Sequence, residues 1–251
     1  MVWYNEIVKK RVKKMKLAVF DIDGTIFRSS LLIQLINGLV EAGVFPATAS
    51  KEMEKDYLAW LDRKGTYDNY IGQVVNIYWK YIRGVRVGDI KKVAHEVIAW
   101  QKDRVYRYTR DLIKKCKKEG YFLVAISGSP DYIVSAFAKD TGFDASFGSV
   151  SEIEKGVFTG RALNRDTVTN KKKVLTRLIK NLPAPADMAQ SIAVGDSEGD
   201  IPMLKMVGGP IAFNPNRILA QYAQKNGWKI VVERKDVIYD IKSHKFINHE
   251  S

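Results

Sequence analysis

The sequence holds a single cysteine, Cys116, in 251 residues. That excludes an intramolecular disulfide and any zinc site built from several cysteines. Its three histidines, His95, His244 and His249, are scattered and point to no shared site. No apolar run approaches the roughly 18–20 residues that a membrane span requires. The longest candidate, "LLIQLINGLV", is interrupted by Gln34, Asn37 and Gly38. The opening "MVWYNEIVKKRVKKMK" has charges but no apolar stretch behind them, so no secretory signal is expected. Internal repeats and low-complexity tracts are absent too. A cytoplasmic protein is the economical expectation.

What is present is an ordinary globular composition, 46% apolar and 27% charged, in a chain long enough to bury a full core. The net charge of +13 suits an anionic partner: a phosphorylated small molecule, nucleic acid or an acidic membrane surface. Residues 2 to 15 read as a basic amphipathic helix, with Trp3, Ile7, Val8 and Val12 on one face. Such a helix packs on its own core or makes peripheral contact with an anionic membrane. No recognised nucleic-acid motif accompanies the charge, so no specific nucleic acid is expected as partner.

"KLAVFD" then reads as a buried strand, and 29–101 as helix throughout. Strand and helix alternate again from 102: strands at "YFLVAIS", "SIAVGD", "PIAFN" and "WKIVVE", and a β excursion turning at Lys155–Gly156. The alternation predicts an α/β fold, a Rossmann-like and mostly parallel sheet with helices on both faces. The helical stretch predicts an inserted all-helical cap domain over 29–101, with 1–28 and 102–251 forming the core. Aromatics crowd the insert: Tyr57, Trp60, Tyr67, Tyr70, Tyr78, Trp79, Tyr81 and Trp100. Their helical spacing reads as packing, with an aromatic cage for a quaternary ammonium as the sharper alternative.

In such sheets ligands bind at the carboxyl ends of the strands. Asp21 and Asp23 close the first strand, Ser127 closes "YFLVAIS", and Asp196 closes "SIAVGD" with Asp200 four residues on. Carboxylates gathered there repel on the order of several kcal/mol unless a cation neutralises them. An all-oxygen set favours a hard cation, Mg²⁺ above all, which in turn suggests a phosphorylated substrate. Lys171, Lys172 and Lys173 open a helix and offer positive charge. Backbone amides following Ser127, at a helix start, are placed to hold phosphate oxygens.

"DIDGT", Ser127, a lysine of "NKKK" and "GDSEGD", in that order, resemble the four motifs of the haloacid dehalogenase superfamily of phosphohydrolases. A chance "DxDGT" is expected about once in several hundred chains of this size. "SGSPDYIV", "GDSEGDIPML" and "NPNRILAQYAQKNGW" are similar to the branch containing phosphoserine phosphatase, which carries a helical cap between the first and second motifs. The resemblance implies Asp21 as nucleophile and Asp23 as general acid and base, by way of an aspartyl-phosphate. It also implies phosphate contacts from Thr25, Ser127, Gly128 and Lys171, with Lys172 the rival lysine. Mg²⁺ would be held by Asp21, the backbone carbonyl of Asp23 and Asp196, with Asp200 in support.

Two positions depart from the phosphoserine phosphatase pattern. Gly24 replaces a serine, and Ser30 stands where an acid meets the substrate's amine. The expected activity is therefore Mg²⁺-dependent hydrolysis of a small phosphorylated metabolite. Attack on a lysophosphatidate-like membrane lipid, transfer to another alcohol, and non-enzymatic nucleic-acid binding are the alternatives.

Overall fold

The computed structural model describes residues 14–243. Nearly all of the helix expected over 2 to 15 lies outside these residues, as do His244 and His249. Met15 is within them and is not helical: it forms a parallel bridge to Ala186.

Eight strands form one sheet in the order β4-β3-β2-β1-β5-β6-β7-β8. They are β1 (Leu17–Phe20), β2 (Phe122–Pro130), β3 (Ala145–Glu154), β4 (Val157–Asn164), β5 (Ile192–Gly195), β6 (Gly209–Phe213), β7 (Lys229–Arg234) and β8 (Val237–Ile241). The six strands from β3 to β7 pair in parallel, while β4 and β8 are antiparallel edges. The first strand is thus central. Its four residues "LAVF" are wholly buried because both faces of the sheet are covered. Alternation divides them: Ala18 and Phe20 enter one apolar core, Leu17 and Val19 the other.

The second core is closed by α8 (Lys171–Lys180), α9 (Ile201–Leu204) and α10 (Arg217–Lys225). The first is closed by α5 (Arg107–Lys118), α6 (Asp131–Thr141) and the inserted helices α1 (Leu31–Glu41), α2 (Thr48–Leu61), α3 (Tyr67–Ile82) and α4 (Val87–Gln101). A four-residue helix, α7 (Asp166–Thr169), precedes α8. The insert leaves and returns at one neck, where Arg28 N donates to Arg104 O and Tyr106 N to Ile26 O, each at 2.9 Å. Its helices differ in anchorage. Each of α1 and α4 buries five residues, whereas α2 buries only Ala49 and Met53 and leaves Leu58 and Leu61 exposed.

Two expectations need correction. "WKIVVE" reads as the last strand, yet β8 follows as an exposed edge whose lack of burial hides it from periodicity. Nor does a helix begin just after Ser127. Strand β2 runs on to Pro130, with a register shift against β3 after Ile126, and α6 starts at Asp131.

Candidate active site

The carboxyl ends of β1 and β5 bring three acids together. Oxygens of Asp21, Asp196 and Asp200 lie within 4.8 Å of one another. Asn170 caps α8 by accepting from Lys173 N at 3.0 Å, which sets Lys171 at the first helical position. From there the buried Nζ of Lys171 donates to Asp21 Oδ1 and Asp200 Oδ1, both at 2.5 Å. Lys172, its rival, is exposed. The structure therefore brings Lys171, and not its neighbour, into the cluster.

Asp200 is fully occupied. Its Oδ2 accepts from the backbone amides of Asp196 (3.0 Å) and Ser197 (3.1 Å), so it fixes the loop that presents Asp196. A side chain at Gly195 would stand 2.5 Å from this carboxyl group, which explains the glycine of "GDSEGD". Gly24 answers to the same crowding. Its φ of +79° lies in the left-handed region, and a Cβ there would meet Asp196 Oδ2 at 2.2 Å.

Three carboxylates, two buried and Asp196 half-buried, stand around one lysine, and the imbalance shows in their proton affinities. Burial, opposed by Lys171 and reinforced by Asp200 and Asp23, raises Asp21 to about 7. Asp196 is raised well above the carboxylate range, first by burial and then by Asp21 and Asp200. Lys171 is desolvated too, yet its two acid partners outweigh this and raise it. No described residue hydrogen-bonds Asp21 Oδ2, and Asp21 lines a cavity of about 520 Å³.

Asp23 stands apart from the acid cluster. Its Oδ1 accepts from the Leu31 amide (2.5 Å), at the first turn of α1. Its Oδ2 accepts from the hydroxyls of Ser127 (2.5 Å) and Ser129 (2.9 Å). Ser127 is completely buried and does not line the cavity, whereas Gly128 and Ser129 do. Thr25 is fully buried as well, and its hydroxyl donates to Asp196 Oδ1 at 3.3 Å. In this arrangement the hydroxyls of Ser127 and Thr25 are engaged by the carboxylates of Asp23 and Asp196.

Several lining residues escaped the sequence reading. Asn214, at the carboxyl end of β6 with φ +43°, and Asn216 both border the cavity; the strand-end rule that located Asp196 applies equally to Asn214. Tyr67 and Asp68 reach it from the start of α3. The Tyr67 hydroxyl is raised by burial, then by the charges of Asp23 and Asp196.

A profile of the haloacid dehalogenase-like hydrolases matches residues 18–205. Phosphoserine phosphatase SerB1 of Mycobacterium tuberculosis is 25% identical over 224 residues, covering 85% of this chain and 69% of its own. A phosphoserine phosphatase of Methanocaldococcus jannaschii is 24% identical over 225 residues, 90% of this chain and 95% of its own. Among solved structures, a Bordetella pertussis protein of unknown function aligns with TM-score 0.68 and 19% identity, over 87% of this chain and 98% of its own. A phospho-aspartyl intermediate analogue of phosphoserine phosphatase aligns with TM-score 0.58 and 22% identity, over 89% and 96%.

Proposed function

Since the chain belongs to the haloacid dehalogenase-like hydrolases, we propose that it hydrolyses a phosphomonoester of a small molecule in a Mg²⁺-dependent reaction with Asp21 as nucleophile. The observation that carries this reading is the buried Asp21–Lys171–Asp200 bridge beside Asp196, on the floor of a cavity at the strand ends. The donor set fits a hard cation. It is all oxygen, and its carboxylates outnumber its one lysine. The carboxylates of Asp21 and Asp196 with the backbone carbonyl of Asp23 would hold Mg²⁺, and Asp200 would support them through the Asp196 loop. The ion supplies charge neutralisation and polarises a phosphoryl oxygen.

Asp21 Oδ2 attacks phosphorus in line as the bond to the leaving oxygen breaks, giving an aspartyl-phosphate. Lys171 keeps Oδ1 fixed and supplies positive charge beside the phosphoryl oxygens as negative charge develops. Asp23 delivers its proton to the leaving alkoxide. It then takes a proton from water, which attacks phosphorus and releases phosphate and the Asp21 carboxylate. To do so Asp23 turns from Ser127, Ser129 and the Leu31 amide toward the cavity. Gly128 lines that cavity and is the candidate backbone contact to phosphate. The helices of 29–101 act as the cap, and 1–28 with 102–251 as the catalytic core.

Phosphate release from a panel of monoesters tests the reading. It is expected with Mg²⁺, absent with EDTA, and reduced at least about a thousandfold in Asp21→Asn. Release that survives Asp21→Asn would overturn it.

A further inference from the structure

Two cavities adjoin at Tyr67. The first is the catalytic one, whose walls above Asp21 and Lys171 include Leu32, Ile71, Val75 and Val168. The second, about 630 Å³, has one apolar wall of Met53, Tyr57, Trp60 and Tyr70 with Ile33, and a polar remainder that includes Arg28, Lys51 and Glu54. Tyr67 is the one described residue that lines both.

Resting on the phosphatase reading, we propose that the leaving alcohol carries an extended apolar body that passes Tyr67 and lies against Tyr57, Trp60 and Tyr70. The catalytic chamber alone already has the size that takes a drug-like ligand. A short ester such as phosphoserine gives the second chamber no role. The aromatic layer is also incompletely buried. Its rings pack with centroids 5.2–6.2 Å apart, yet Tyr57 is 39% and Tyr67 44% exposed. Ordinary packing between α2 and α3 would cover them, and an apolar ligand would complete that burial.

Polarity points the same way. Ser30, which borders the catalytic chamber, is neutral and offers no charge to a substrate amine. Glu54 lines the second chamber; in the catalytic chamber the one described acid outside the catalytic set is Asp68, in the first turn of α3. Its place beside the positive end of that helix accounts for it without a ligand.

The test uses the full chain with Mg²⁺ and two series: methyl, butyl, octyl and 1-naphthyl phosphate for turnover, and the matching phosphonates for binding by calorimetry. Octyl or naphthyl is expected to exceed methyl at least about tenfold in both kcat/KM and affinity. A gain confined to naphthyl assigns a planar ring, and one confined to octyl assigns a chain. Trp60→Ala, and Ser50→Trp filling the chamber from α2, should each shrink the octyl-to-methyl ratio several-fold, with circular dichroism verifying the fold. A flat series, or preference for phosphoserine or phosphoethanolamine, would overturn the inference. Tail-dependent phosphonate binding without turnover of any ester would uphold it while removing the phosphatase reading. Turnover with a flat series would do the reverse.

Discussion

The floor and the roof of the candidate active site are held by different physics. On the floor, buried Asp21, Lys171 and Asp200 and half-buried Asp196 lie at strand ends, joined by charge-assisted bonds of 2.5 Å and by backbone amides. In the roof, Tyr57, Trp60, Tyr67 and Tyr70 touch one another edge-on, tilted or stacked, with no ionic tie among them. Charge in a low-dielectric site admits few arrangements, because each unpaired group costs several kcal/mol by order of magnitude. Apolar contact tolerates many. Under the proposed function the floor would carry the reaction, and the aromatic layer, which reaches the catalytic cavity at Tyr67, would set its scope.

The strongest way to break this contrast is Lys171→Met. It leaves buried acids without their cation, and urea unfolding of the metal-free protein should show a loss of about 3–5 kcal/mol. Lys172→Met, one residue away and exposed, should stay within about 0.5 kcal/mol. Equal effects would erase the distinction between the two lysines. Gly24→Ala comes next. It demands an unfavourable φ and intrudes on Asp196, so a loss of about 1–3 kcal/mol and impaired phosphate release are expected together.

Changing pH sharpens the same contrast with less force. With Asp21 raised to about 7 and Asp196 raised likewise, the folded state keeps protons that the unfolded chain has released. Without divalent cation, stability should thus fall as pH rises from about 4 toward 7. Mg²⁺ should counter the fall, so the Tm difference between Mg²⁺ and EDTA should widen over that interval in calorimetry. A difference independent of pH would mean that these acids do not hold the ion. The smallest effect belongs to the roof. Leu58→Ser, at an exposed site on α2, should change stability by less than about 0.5 kcal/mol. Amides of α2 should exchange hydrogen faster than those of α1 or α4, which bury more of their surface.

Legibility in the sequence followed the same division. Asp21, Asp23 and Asp196 could be placed because acids at the ends of apolar strands have little other reason to be there. The parallel order could be read from the strand–helix alternation, since crossovers require it. Lys171 could not be separated from Lys172, because a helix start known to within a residue turns the side chain by about 100°. The bonds from the hydroxyls of Ser127 and Thr25 to Asp23 and Asp196 are not legible either; a short polar side chain reveals neither its rotamer nor its partner. Tyr67 was hidden for another reason. A half-exposed ring at helical spacing resembles core packing until the helix across from it is known.

The central place of β1 sets the order in which this protein can assemble. It is the first strand of the sheet in the chain, yet its neighbours β2 and β5 begin at residues 122 and 192. Leu17 N, for example, donates to the hydroxyl of a serine 174 residues later. Contacts so distant in sequence close large loops and are slow to form. On the ribosome, some 170 residues are added after Asp21 and Asp23, at about 5–20 per second, before Asp196 can join them. The mutually repelling acids of β1 and β5 meet only when β5 docks, so their repulsion is absent from every contact that forms before it.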